Sequence, residues 1–151
     1  MKKIKPIFHY DKETGCSTCV IETKYGKFSG TACCHPDDMD MASEKVGCEI
    51  AYSRAAIDSL KYERDNVIKP SLKALKQLYY SMNQSKKFNP NSYENIMLQR
   101  QIRLKEEDLA TIEEELVRLK QDLKLFIATK DATYKKLREN RAKSNTRDEN
   151  Q

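Results

Sequence analysis

The sequence predicts an α+β chain, with a small N-terminal antiparallel β-sheet followed by two long antiparallel α-helices that pair as a coiled-coil-like hairpin. Three observations carry this prediction. Residues 92–138 hold a heptad pattern free of Gly and Pro. In it Leu98, Ile102, Leu109, Ile112, Leu116, Leu119, Leu123, Phe126 and Leu137 recur at steps of three and four or their sums. That spacing lines one seam of a helix, the seam that buries against another helix. A second apolar helical pattern runs from about residue 41 to 84. Ahead of both, short β-rich runs alternate with turn residues. The predicted organisation is a head over residues 1–40, a two-helix hairpin over 41–138 and a flexible polar tail over 139–151.

The first strand falls within residues 1–10, with Ile4, Ile7, Phe8 and Tyr10 available for burial. Asp11 to Gly15 makes a turn. Residues 17–24 and 27–34 read as paired strands, with Tyr25-Gly26 as a two-residue loop whose Gly supplies a positive φ. In that pairing Cys19, Ile21, Thr23, Phe28, Ala32 and Cys34 share the apolar face that packs on a helix. Glu22, Ser29 and Thr31 take the other face.

His35-Pro36-Asp37-Asp38 ends the hairpin, and Asp40 and Ser43 are candidate N-caps of the first helix. Its apolar positions include Val46, Ile50, Ile57, Leu60, Val67, Leu72, Leu75, Leu78 and Met82. Pro70 lacks an N–H and clashes with the preceding turn, which predicts a kink near residues 66–70. Ser85 to Asn91 form a loop, and Ser92 is the N-cap of the second helix. At about 1.5 Å per residue, that helix is a rod of roughly 70 Å. A rod of this length must fold back, associate with copies of itself, or both. Tyr79, Met97, Ile127 and Tyr134 are apolar residues left over for a further partner, and a dimer through the helices is the economical answer. Lys105, Lys130 and Thr133 interrupt the seam at positions that set register or oligomer state.

Composition narrows the function. The net charge is +5, but Lys and Arg interleave with acids such as Glu106, Glu107, Glu113, Glu114 and Glu115. A nucleic-acid binder concentrates its charge, so this distribution weighs against one. No apolar run reaches the ~18 residues that span a bilayer, and MKKIKPIF lacks the apolar stretch of a signal peptide. The expected location is the cytoplasm, and the five Cys are read there as free thiols.

Cys16-Ser-Thr-Cys19 and Cys33-Cys34-His35 invite a zinc reading. Residues three apart in a strand point to opposite faces, and so do adjacent residues, which argues against a shared ion. No metal ligand and no cofactor are therefore assigned. Asp37, Asp38 and Asp40, with His9 and His35, form an acidic cluster that serves the following helix as cap and dipole partner. Phosphate-loop, HExxH, GxSxG and paired-carboxylate motifs are absent, so no catalytic residue is assigned and the chain is read as a non-enzyme.

Two places suit ligand binding. Gly47, Ala51, Ala55 and Ala56 let a sheet or helix approach closely. Arg54 beside them could grip phosphate or carboxylate through its planar fork. The turn between the helices brings together Phe88, Asn91, Tyr93 and Asn95, with Arg100 and Arg103 in the next turns of helix. Aromatic rings stack on bases, amides read their edges, and Arg holds phosphates. In each place the plainer alternative is packing with solvated surface charge.

The run Lys24-Tyr-Gly-Lys-Phe-Ser-Gly-Thr-Ala-Cys-Cys-His-Pro-Asp-Asp38, with Ser43-Glu-Lys-Val-Gly47 and Ala51-Tyr-Ser-Arg54-Ala, resembles small proteins of Firmicutes phages and prophages. Within that group the layout is similar to the Thoeris anti-defence sponge family. The resemblance implies an N-terminal antiparallel sheet, two long helices and assembly through those helices. It also implies sequestration of cyclic ADP-ribose isomers, or of related cyclic oligonucleotides, without cleavage, in the cytoplasm of a host bacterium. The ligand positions named above rest on chemistry and not on that family. Two alternatives stay open: a module that inhibits a host enzyme or nuclease by direct binding, and a nucleic-acid-binding phage protein.

Overall fold

The computed structural model describes residues 5–148 apart from 86 and 88, without the side chains of 37, 40, 41 and 146–148. Its order is β1 (Ile7–Asp11), β2 (Cys16–Thr23), β3 (Gly26–Cys33), a 3-10 turn (Pro36–Met41), α1 (Glu44–Glu63), a π turn (Arg64–Ile68), α2 (Lys69–Asn83) and α3 (Tyr93–Asp148). The N-terminal antiparallel sheet and the mostly helical remainder agree with the predicted class. The chain divides into two compact units, residues 1–56 with 119–151 and residues 57–118.

In the first unit the strands lie in the order β1-β2-β3, both pairs antiparallel. The β2–β3 loop is Lys24-Tyr25, one residue earlier than predicted, because Thr23 pairs with Gly26. Thr23 closes that loop by itself. Its Oγ1 accepts from the Tyr25 N–H at 3.1 Å and donates to the Gly26 carbonyl at 3.3 Å. The slip takes one residue from β2 and adds one to β3 at the loop, so it moves the pairing by two and leaves the faces unchanged. Cys19, Ile21 and Ala32 are accordingly buried together with Ala51 and Ala55 of α1, with Phe28, Ile50 and Ala56 packed around them.

α1 approaches the sheet closely because glycines face it. A side chain at Gly30 would collide with the Ala51 carbonyl and lie 2.6 Å from the Ala55 nitrogen, and one at Gly47 would meet the Ser17 hydroxyl. Contrary to expectation, β1 contributes little to the core. Ile7 and Phe8 are 70% and 46% exposed, since α1 lies over the β2–β3 half, and Ile4 lies outside the described residues.

Cys16 and Cys33 form a disulfide, which corrects the reading of five free thiols; Cys19, Cys34 and Cys48 are free. The two residues are directly opposed across β2 and β3. In the predicted register Cys16 would oppose His35; the two-residue shift in pairing sets it opposite Cys33.

Ser43 caps α1, its Oγ accepting from the Val46 N–H at 3.3 Å, so the helix starts at Glu44 and not at 41. α3 continues to Asp148, where a flexible tail was expected from residue 139. Glu139 to Asn145 are helical but exposed on every side, which is why no apolar period marks them.

The second unit is a helical hairpin. Tyr79 accepts a hydrogen bond from the Gln99 amide at 3.3 Å, and Lys76 pairs with Glu106 at 2.8 Å. A step back along α2 matches a step forward along α3, so the two helices run antiparallel. Ile57, Ile68, Leu72, Leu98, Ile112 and Leu116 are its buried apolar residues. The break at Pro70 takes the form of a π turn. The Lys69 N–H bonds back to the Arg64 carbonyl, a five-residue span, immediately before the proline that has no N–H to offer.

The seam holds along α3 with two amendments. Lys105 and Lys130 occupy seam positions half-buried, and Leu137 is 44% exposed while Tyr134 is half-buried in its place. Tyr79, Met97, Ile127 and Tyr134 are half-buried within the chain. Tyr93, Ile96, Leu104 and Val117 of α3 stand exposed.

Candidate functional site

In the first unit, a cleft of about 240 Å³ opens where the end of β3, the start of α1 and the later part of α3 meet. Val46, Gly47 and Ile50 of α1 and Ile127 of α3 belong to its lining. Its charged lining comprises Arg54, Lys130, Asp38 and Asp131, with His35, Cys34 and Tyr134 beside them.

Arg54 reaches the cleft because Ala51 and Ala55 hold its helix against the sheet. Its Nη1 donates to the Thr31 carbonyl on β3 at 2.6 Å, which fixes the guanidinium plane. Lys130 comes from α3, its ammonium 5.3 Å from the Phe126 ring centre, a cation–π distance. Two cations from separate elements therefore border one concave surface.

Asp38 is 7% exposed and pairs with Arg138. Its Oδ2 accepts from Arg138 Nη2 at 3.2 Å. This corrects its expected role as a cap of α1, because the carboxylate turns to a cation one hundred residues further on. Cys34 donates its thiol to the Asp38 carbonyl oxygen at 3.3 Å. Burial raises the Cys34 thiol above its ordinary range, and the Asp38 charge adds to the shift, so it is a poor nucleophile. Burial likewise raises the Tyr134 phenol, helped by Cys34, Asp38 and Asp131. Tyr134 thus stays a neutral ring and hydroxyl donor. Among the described residues, no group of three or more His, Cys, Asp or Glu is arranged to hold a metal ion.

The other predicted site residues belong to the second unit. Asn91 is exposed, and its N–H donates to Asn89 Oδ1 at 2.9 Å. Tyr93 opens α3 and is 73% exposed. Ser92 caps this helix through the Asn95 N–H at 3.3 Å. Asn95 is fully buried and donates its amide to the Asn89 carbonyl at 3.3 Å. It occupies a seam position and closes the loop. Arg100 and Arg103 are exposed on α3. Phe88 lies outside the described residues. The structure thus gathers Asn91, Tyr93 and Asn95 at one turn and assigns Arg54 to the other unit.

Lys130, Tyr134 and Arg138 escaped the sequence reading as site residues. Their four-residue spacing on one face of α3 is a signal in the sequence, but Lys130 was read only as a break in the seam.

No family model matches this chain, and neither a curated protein nor a solved structure matches it.

Proposed function

We propose that this chain is a non-catalytic binding protein that takes up a cyclic nucleotide signal, of the cyclic ADP-ribose type, and holds it without cleaving it. The observation that carries this reading is the pairing of Arg54 and Lys130 around one cleft with a neutral tyrosine beside them. Arginine and lysine recognise phosphate, and an aromatic ring supplies a stacking surface. The sequence resemblance to anti-defence sponges makes a phage-borne countermeasure the setting of this activity.

The cleft volume limits what one chain encloses. Sites for whole drug-sized ligands run upward from about 300 Å³. About 240 Å³ suits one ribose-phosphate end of such a ligand. A homo-oligomer through the helices is the proposed assembly, and Ile96 and Val117, a whole number of heptads apart on α3, are exposed for it.

The test is native mass spectrometry with a panel of cyclic ADP-ribose isomers. The expected result is a defined oligomer that gains ligand in fixed ratio and releases it intact on heating. Arg54→Ala and Lys130→Ala should each weaken uptake about tenfold, the loss of one charge-assisted hydrogen bond. A wild-type oligomer that takes up no isomer overturns the reading.

A second reading has its own observation. Leu78 and Tyr80 are 53% and 66% exposed on α2. Lys69, Lys73 and Lys76 line a groove with Tyr80 on that helix. The basic face that carries Tyr80 suits an acidic partner, which is the reading of a direct inhibitor of a host enzyme.

A further inference from the structure

Two exposed rows of side chains lie on one side of the helical hairpin in the second unit. On α2, Lys69, Lys73, Lys76 and Tyr80 are exposed at steps of four, three and four. On α3, Ile96, Arg103, Glu107, Ala110, Glu114 and Val117 are exposed at steps of three, four or seven. Such spacing lines a helix face that pairs with another helix. Lys76 reaches Glu106 at 2.8 Å. Glu106 stands three residues from Arg103 and four from Ala110, so it borders the α3 row and brings both rows to the same side.

The rows carry opposite charge at the same height. α2 holds three lysines and no acid. Residues 106–115 of α3 hold six acids and no Lys or Arg. The Lys76–Glu106 pair sets the height of one antiparallel helix against the other. Lys76 is thus level with Glu107, and seven residues further along each helix Lys69 is level with Glu114. In the other direction Tyr80 is level with Arg103, and Lys73 falls beside the small Ala110, between the two acids.

We propose that two copies of the chain associate face to face through these rows, about a twofold axis parallel to the helices. Rotation about such an axis leaves heights unchanged and sets α2 of each copy on α3 of the other. Lys69 then meets the partner's Glu114, and Lys76 meets the partner's Glu107. Tyr80 stacks on the partner's Arg103 as a cation–π pair. Each contact occurs twice, as an isologous interface requires. A twofold axis across the helices would instead lay lysine on lysine and glutamate on glutamate, which repulsion disfavours. Nucleic acid suits this face less well than a second copy, because the glutamates repel phosphate. The interface rests on the assembly through the helices proposed above and names its surfaces.

The test is sedimentation velocity of the full chain and of two charge-reversed variants, Lys69→Glu with Lys73→Glu, and Glu107→Lys with Glu114→Lys. Wild-type protein should sediment as a dimer or a multiple of it. Each variant alone should keep its helical circular dichroism and associate at least about tenfold more weakly. An equimolar mixture of the two should recover wild-type association, because every α2 again meets an α3 of opposite charge. A wild-type monomer overturns both this interface and the assembly, and leaves the lysine row to a foreign acidic partner. A wild-type oligomer that neither variant weakens, or that mixing does not restore, overturns this interface alone. If a variant fails to fold, carbodiimide cross-linking of mixed light- and heavy-isotope wild-type chains decides. Links from Lys69 to Glu114 between unlike chains are expected, and their absence overturns the interface.

Discussion

Asp65 shows how one side chain can respond to pH while standing in solvent. Arg64 grips it with both arms, Nε to Oδ1 at 2.8 Å and Nη2 to Oδ2 at 3.0 Å, and Lys69 adds an ion pair at 3.3 Å. The Arg64 hydrogen bond, followed by that of Lys69, lowers its pKa to about 2. A carboxyl depressed in the folded chain stabilises it at every pH above the unfolded value. That contribution fades as pH falls from about 4 to about 2. Asp65→Asn should therefore lower Tm slightly near neutral pH, with the two melting curves converging below pH 2. Solvent screening keeps the gap small, and thermal melts across that range read it. At this level some features were legible and others were not. Gly47, Ala51 and Ala55 stand four apart on one helix face, so their close contact followed from spacing alone. Asp38 pairs with a residue at the far end of the chain, and no local pattern signals such a partner.

Each helix was legible through its period and its stops. The α3 seam from Leu98 to Phe126 was read from heptads, because burial against one neighbour imposes that repeat. Leu116 is 2% exposed, the deepest large apolar side chain on that seam. Leu116→Ala should cost about 2–5 kcal/mol in urea unfolding, the range for an uncollapsed core cavity. A loss below about 1 kcal/mol would show that the seam is not packed as described. The form of the break at Pro70 was less legible. Proline announces a missing hydrogen bond but not how the chain absorbs it, and here the preceding residues widen into a π turn. The β2–β3 loop was displaced for a similar reason. Gly26 fits a turn on φ alone, but the Thr23 hydroxyl closes the loop one residue sooner.

For the molecule as a whole, the disulfide is the feature most open to a direct check. Alkylation of the oxidised, denatured protein without reductant should label Cys19, Cys34 and Cys48 and leave Cys16 and Cys33 unmodified. Labelling of all five overturns the pairing. Cys33→Ser should destabilise the oxidised protein by about 3 kcal/mol, the loop-closure value for a span of 17 residues. The sequence by itself determined the α+β class, the order of sheet and helices, the faces of the hairpin and the seam of the long helix. All of these depend on local period, turn chemistry and caps, which neighbouring residues encode. Only the tertiary structure decided the Cys16–Cys33 bridge, the inward turn of Asn95 and the cleft shared by Arg54, Asp38 and Lys130. Each of those joins residues distant along the chain, and their meeting is set by how the elements pack.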